Sequence, residues 1–353
     1  MEDTEKNINF SKIKNIKFLY DLPKTSDSYT PSSLDNTFTV FNSIDNILFL
    51  IYSNRKCSII FYNLIDNKKM TEIKNAHNSF ITNFRHYLDT VNNRDLLLST
   101  SSYSGNVKLW DIQNMNILLN IQHFIINSFL NSSCILNDDN KNYIIISNLE
   151  FDKYDYDPDD IYLNFIRIYD MKGNFVNSLL NRSSFFVDTY FDKINNKNYI
   201  ISANKGNVIS YDFKNNSMFK CYSEGTNIKN NKAYNNYFSV IIREEEDEVK
   251  LIASSGWGNI VIWDFYSGLF LKKIYLGSYR LYGICSWNEN YLLIGSKIRS
   301  VKIFDYQEEK IIFHLSGFYS EVLTIKKFIH PKYGECFITQ ERYNCPLKLF
   351  LNK

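Results

Sequence analysis

Gly258-Asn259-Ile260-Val261-Ile262-Trp263-Asp264 and Gly105-Asn106-Val107-Lys108-Leu109-Trp110-Asp111 are the two stretches whose reading decides the fold. Each is a Gly-Asn pair followed by apolar positions, an aromatic and an acid. Gly and Asn accept the positive φ that tight hairpins require, and a short β-branched run bounded by turn residues reads as a strand. The same pattern returns as Asn164-Phe165-Ile166-Arg167-Ile168-Tyr169-Asp170, Gly206-Asn207-Val208-Ile209-Ser210-Tyr211-Asp212 and Arg299-Ser300-Val301-Lys302-Ile303-Phe304-Asp305. Weaker copies stand at 57–63 (CSIIFYN) and 345–351 (CPLKLFL). Seven copies separated by 41 to 59 residues are an internal repeat, and repeats of this length build solenoids or propellers.

The surroundings of 258–264 show what one repeat contains. Residues 237–243 predict an inner strand, 244–248 an acidic turn and 249–255 a second strand. The third strand follows at 260–264, a Tyr-Ser-Gly turn at 266–268 and an outer strand at 269–275. Four strands per repeat make one propeller blade. The chain stops just after the third strand of the seventh copy, and 15–22 (NIKFLYDL) reads as a spare strand. Pairing the two completes the last blade and removes an exposed sheet edge. The expected fold is all-β: a seven-bladed β-propeller of four-stranded antiparallel blades, one domain over 15–353, closed by an N-terminal strand. Residues 1–14 read as a flexible tail and 23–35, rich in Pro and Ser, as a loop.

The Trp-Asp signature at this period resembles the WD-repeat family, over about residues 15–353. The Tyr, Phe and Asn copies depart from it. The resemblance implies a buried hydrogen-bond network in each blade, and the second blade comes closest, with His77, Thr100 and Trp110. Ser104 stands where the family has Asp, so that network is expected to be incomplete. Asp111, Trp263 and Asp264 complete the set of structural motif residues. The resemblance further implies a non-catalytic scaffold that binds protein partners on the face built by the loops leading into the inner strands and by the turns between second and third strands. Tyr, Trp and Arg in those segments are the candidates, because these types dominate binding hot spots. They are Trp257, Arg280, Tyr279, Tyr319, Arg299, Arg182, Tyr103 and Tyr343, with Trp257 foremost. Two other roles are open to the family. One is an adaptor or substrate receptor of a larger complex such as a ubiquitin ligase. Against it, the position two after the motif Asp holds Gln113, Lys172, Lys214, Tyr266 and Gln307, where such receptors often have Arg. The other is an enzyme or small-ligand binder using the central channel.

Composition agrees with this reading. The chain has 353 residues, 40 basic and 38 acidic side chains, and a net charge of +2. That balance argues against a nucleic-acid partner, which calls for a basic stripe. Only 4 Ala disfavour a helical protein, and 43 Ile favour strands. No secretory leader and no stretch of 18 apolar residues is present, so a cytoplasmic or nuclear location without a membrane partner is expected. The six Cys form no CxxC; Cys336 and Cys345, on neighbouring expected strands, are placed to face each other and read as two buried, reduced thiols. No histidine stands in a metal or catalytic motif, and none of the phosphate-binding or nucleophile motifs appears, so no cofactor or metal is expected. The acidic run 150–160 (EFDKYDYDPDD) alternates Asp but lacks the Gly and Glu of a calcium loop, and reads as a solvated insert.

Overall fold

The computed structural model describes residues 16–24, 37–54, 56–102, 105–122, 128–150, 164–181, 184–224, 235–246, 248–342 and 345–352. These residues form seven four-stranded antiparallel sheets. Blade 1 comprises Phe38–Asn42, Leu48–Ser53, Ile59–Asn63 and Lys68–Ile73, from the inner strand outward. Blade 2 comprises Ile81–Asp89, Arg94–Ser101, Asn106–Asp111 and Asn116–Gln122. Blade 3 has Ser128–Asp138, Lys141–Glu150, Asn164–Asp170 and Phe175–Asn181, and blade 4 has Ser184–Asp192, Lys197–Asn204, Val208–Asp212 and Ser217–Tyr222. Blade 5 runs Tyr237–Glu244, Val249–Ser255, Asn259–Asp264 and Phe270–Tyr275, and blade 6 runs Leu281–Ser286, Tyr291–Ser296, Ser300–Asp305 and Lys310–Leu315. Blade 7 takes Val322–His330, Gly334–Glu341 and Pro346–Asn352, and borrows its fourth strand, Ile16–Lys24, from the start of the chain. Each inner strand contacts the inner strands of the blades on both sides, and blade 7 meets blade 1, so the ring closes. The molecule is a seven-bladed β-propeller.

Why these segments form strands follows from where they lie. A blade is covered on both faces by its neighbours, so its middle strands have no polar side to show. Leu48–Ser53 and Ile59–Asn63 are buried along their whole length, while the outer strand Lys68–Ile73 is largely exposed. Seven apolar clusters result, one at each junction between blades. Each fully buried Leu, Ile or Phe contributes about 1.5–3 kcal/mol relative to exposure.

The motif acid after each aromatic caps the next hairpin. Asp111 accepts from the Asn114 backbone N–H and side-chain amide, both at 3.0 Å, and Asp212 accepts the same pair from Asn215 at 3.0 and 2.9 Å. Asp264 receives the Ser267 N–H and Asp305 the Gln307 and Glu308 N–H groups. Burial works to raise the Asp111 carboxyl, but the Asn114 donors and Arg94 outweigh it and hold it below its ordinary value. Gly258 shows why glycine begins the motif. Its φ is +75°, and a Cβ there would lie 1.7 Å from the Gly277 carbonyl oxygen.

Blades are also tied by polar groups across the ring. Arg85, on the inner strand of blade 2, donates to the Ser133 carbonyl of blade 3 at 3.3 Å and to the Val187 carbonyl of blade 4 at 3.2 Å. It also pairs with Asp188 at 3.3 Å.

Two expectations need correction. The closing strand extends two residues beyond 22, through Pro23 and Lys24, and Lys24 stands opposite Pro346. Cys336 and Cys345 do not face each other. Cys336 stands opposite Leu351, at the far end of the strand that Cys345 precedes, Cys345 is only half-buried, and no disulfide joins any of the six cysteines. Burial pushes the Cys336 thiol up to about 11. The tail 1–14, most of the loop 23–35 and the acidic insert 151–160 lie outside the described residues.

The seam between blades 7 and 1 is the test of ring closure. Leu22 is buried in the cluster joining Phe38, Leu50 and Tyr52 of blade 1 to Ile338, Leu349 and Leu351 of blade 7. The Thr37 hydroxyl donates to Gln340 across the same seam. Leu22→Ala is expected to cost about 2–5 kcal/mol of unfolding free energy. Phe18→Ala, on a half-exposed ring packed edge-on against Phe350, costs clearly less. Chemical denaturation of both variants checks the order; equal costs would mean that Leu22 does not seal the seam.

Candidate functional site

The face expected to bind partners is assembled by backbone bonds between two sets of segments. In several blades, the turn after the second strand is fastened to the loop that leads into the inner strand. Ser102 donates its N–H to Phe80, Gly256 to Asn236, Lys297 to Arg280 and Arg342 to Glu321, at 2.8–2.9 Å. This repeated bond brings residues far apart in the chain onto one rim. The turn holding Trp257 and Gly258 lies against the Gly277–Tyr279 loop: Leu276 donates to the Gly258 carbonyl at 2.9 Å, and the Tyr279 carbonyl oxygen approaches Gly258 as well.

Five of the eight candidate binding residues fall in the described part of the chain, and all five are exposed. Trp257, Tyr279 and Tyr319 are 54 %, 52 % and 65 % exposed. Arg280 and Arg299 are exposed too. Trp257, Tyr279, Arg280 and Arg299 come together on the rim of blades 5 and 6. Tyr319 belongs to the loop before blade 7, where the Lys348 ammonium lies 4.4 Å from its ring centroid. Tyr103, Arg182 and Tyr343 lie outside the described residues.

The structural motif in blade 2 is a buried chain, but its middle member is Ser99. His77 Nε2 lies 2.7 Å from Ser99 Oγ, and the Trp110 indole N–H donates to the same oxygen at 2.7 Å. Thr100, assigned to this network from sequence, points to the other blade face and meets Ser133 Oγ at 2.5 Å. Side chains alternate along a strand, so moving one residue changes the neighbouring blade that is touched. His77 Nδ1 has no partner among the described residues. Burial, with help from Lys108, pushes the His77 pKa down to about 3, so the ring is neutral. Blade 4 builds a comparable buried chain from other residues, with Asn181 rather than the serine at its centre. Asn181 donates to Ser202 Oγ, and Tyr211 donates its hydroxyl to Asn181 Oδ1 at 3.0 Å. Blade 5 has no serine at this place, and the Trp263 N–H goes to the Ser223 carbonyl at 3.1 Å.

Four inner strands add a feature that sequence reading missed. Phe185, Phe238, Tyr282 and Leu323, one each from blades 4 to 7, pack together where those strands bulge. Their signal was the bulge itself, which no residue pattern announced. On the opposite face, Val91 and Ile194 are 80 % and 78 % exposed at the hairpin tips of blades 2 and 4. The tip of blade 3 between them is Asp138-Asp139-Asn140, so no continuous apolar patch forms. Among the described residues, no three His, Cys, Asp or Glu side chains gather as a metal-binding group. No helix among them is long and apolar enough to cross a membrane.

A scan against protein-family models finds no match to this chain, and a search of curated proteins finds no significant one.

The network makes two predictions. Ser99→Ala leaves the buried Trp110 N–H without its acceptor, at a cost of about 1–3 kcal/mol. Adding Trp110→Phe should recover part of that loss, because the orphaned donor is then gone. Full additivity in a double-mutant cycle would remove Ser99 from the network. The second concerns pH. The unfolded chain protonates His77 near 6.5 and the folded chain only near 3, so stability falls as pH drops through that interval. His77→Gln should flatten this part of a stability-versus-pH curve.

Proposed function

We propose that this protein is a non-catalytic interaction scaffold of the WD-repeat type, which binds protein partners on the rim that carries Trp257 and Tyr279. The observation that carries the reading is the exposure of these two rings on adjacent, backbone-fastened turns. Half-exposed Trp and Tyr side by side on a rim are the usual anchors of binding hot spots. The support beneath them is rigid: the Gly258 turn abuts the Gly277 backbone, and the strands below are buried. A rigid support lowers the ordering cost that a partner must overcome.

Several observations favour WD-repeat membership over another propeller type. The Trp-Asp copies, the His77–Ser99–Trp110 chain and the borrowed outer strand of blade 7 all belong to that pattern. An intracellular, non-enzymatic role accords with six cysteines not joined in disulfides and with titratable groups occupied in caps and ion pairs.

The test is affinity capture from the native cell with the intact ring as bait. Trp257→Ala and Arg280→Ala should each weaken capture of the partner by about tenfold or more, the loss expected for a hot-spot side chain, with the melting temperature unchanged. An unchanged set of captured proteins at unchanged yield would place binding on another surface.

A further inference from the structure

The rim of blades 5 and 6 concentrates positive charge that no acid among the described residues pairs with. Arg280 precedes the inner strand of blade 6, and Lys297 and Arg299 form the turn between its second and third strands. The Lys297 N–H donates to the Arg280 carbonyl at 2.9 Å, so the three side chains rise from one fastened unit. None of the three has an ion pair among the described residues. The acids around them are already engaged. Glu321 is paired with Arg342 at 2.8 Å and receives the Tyr282 hydroxyl at 2.9 Å, and Glu224 is held by Lys273, Tyr237 and Asn235.

Lys302 provides the second, independent observation. It sits two places into the strand that follows Arg299, it is 4 % exposed, and it has no hydrogen-bond or ion-pair partner among the described residues. Its counterparts are anchored: Lys108 donates to the Ala76 carbonyl at 2.6 Å, and Lys348 donates to the Gly317 carbonyl and pairs with Glu341. The Lys302 ammonium lies 3.8 Å from where a Cβ on Gly277 would stand, which aims it under the loop that carries Tyr279 and Arg280. Burial holds its pKa below the usual lysine value, and His314, opposite it on the outer strand, brings no negative charge. The Lys302 stem is buried and its ammonium has no protein partner among the described residues, so an anion seated above it would supply one.

Arg299 adds strain in the same place. Its φ is +56°, at the position where blades 2, 4 and 5 have glycine at +63°, +94° and +75° and blade 1 has Cys57 at +54°. An L side chain there costs about 1 kcal/mol or more, and such strain gathers at functional sites.

We propose that this rim is a receptor for an acidic peptide segment of the protein partner. Arg280, Lys297 and Arg299 pair its carboxylates above Lys302, and Trp257 with Tyr279 takes an apolar side chain beside them. The inference rests on the scaffold reading of this face and names the chemistry of its partner. Two aromatics beside four cations fit a mixed acidic and apolar peptide better than a polyanion that offers phosphates alone.

The probe is a short fluorescein-labelled peptide rich in Glu with one Phe, compared with its Gln counterpart by anisotropy against the full chain. The Glu peptide should bind at least about tenfold more tightly than the Gln peptide, and added salt should weaken it. Arg280→Glu with Arg299→Glu should abolish binding. Arg299→Gly and Lys302→Met should each weaken binding while the melting temperature stays level or rises, since Gly suits a φ of +56° and Met keeps the buried stem without the unpaired ammonium. Equal binding of both peptides, no binding, or wild-type binding by Arg299→Gly and Lys302→Met overturns the proposal. So does tighter binding of a single-stranded oligonucleotide or of phosphatidylserine vesicles than of the Glu peptide. If the peptide fails while Trp257→Ala still releases the captured partner, the acidic chemistry alone falls; if Trp257→Ala also changes nothing, the scaffold reading falls with it.

Discussion

The packing of one blade against the next is the interaction on which everything else depends. A single four-stranded sheet of this protein could not stand in water, because its second and third strands are apolar on both faces. Each face is covered only by a neighbour, and the last neighbour of blade 7 is blade 1. The seven junction clusters therefore require closure, and closure requires the strand at the start of the chain. The rim loops inherit their rigidity from this arrangement. Their backbones are bonded to turns of the same blade, and those turns lie over buried strands.

Most of this architecture was legible because strand and turn chemistry repeat in register. In blade 5 the second strand appears as read, Val249–Ser255, and the others differ by a single residue at one end. The reading worked there because Gly, Asn and acidic turns bracket β-branched runs. It failed at Thr100, since a period of two residues leaves the choice of face undecided until the strand pairing is known, and Ser99 stood beside it. It also passed over Asn181, Ser202 and Tyr211, which share only the serine with His77, Ser99 and Trp110, though they too form a buried chain.

The candidate binding face was legible in outline only. Trp257 was recognisable from its place one residue before the motif glycine, outside the aromatic position of the repeat. Lys302 was not. A lysine in a strand reads as solvent-facing, and its burial is a property of the Gly277 loop that folds over it. Nor could sequence show that Arg280 and Arg299 share one unit, because the Lys297 bond that joins them crosses 17 positions. The abundance of Asn, by contrast, now has a local cause in part. Asp89, Asp111, Asp192 and Asp212 each take the side-chain amide of the Asn three residues later.

Arg85 has a consequence for how the ring comes apart. Stacked repeats behave as a row in which each unit feels only its immediate neighbours, so opening can begin at any one of them. A guanidinium that leaves blade 2 and ends on carbonyls of both blade 3 and blade 4 adds a bond between second neighbours. Blade 3 cannot swing outward alone without stripping that group of its acceptors. Blades 2, 3 and 4 thus form one cooperative block, and the Phe185, Phe238, Tyr282 and Leu323 cluster carries coupling beyond nearest neighbours on through blades 5, 6 and 7.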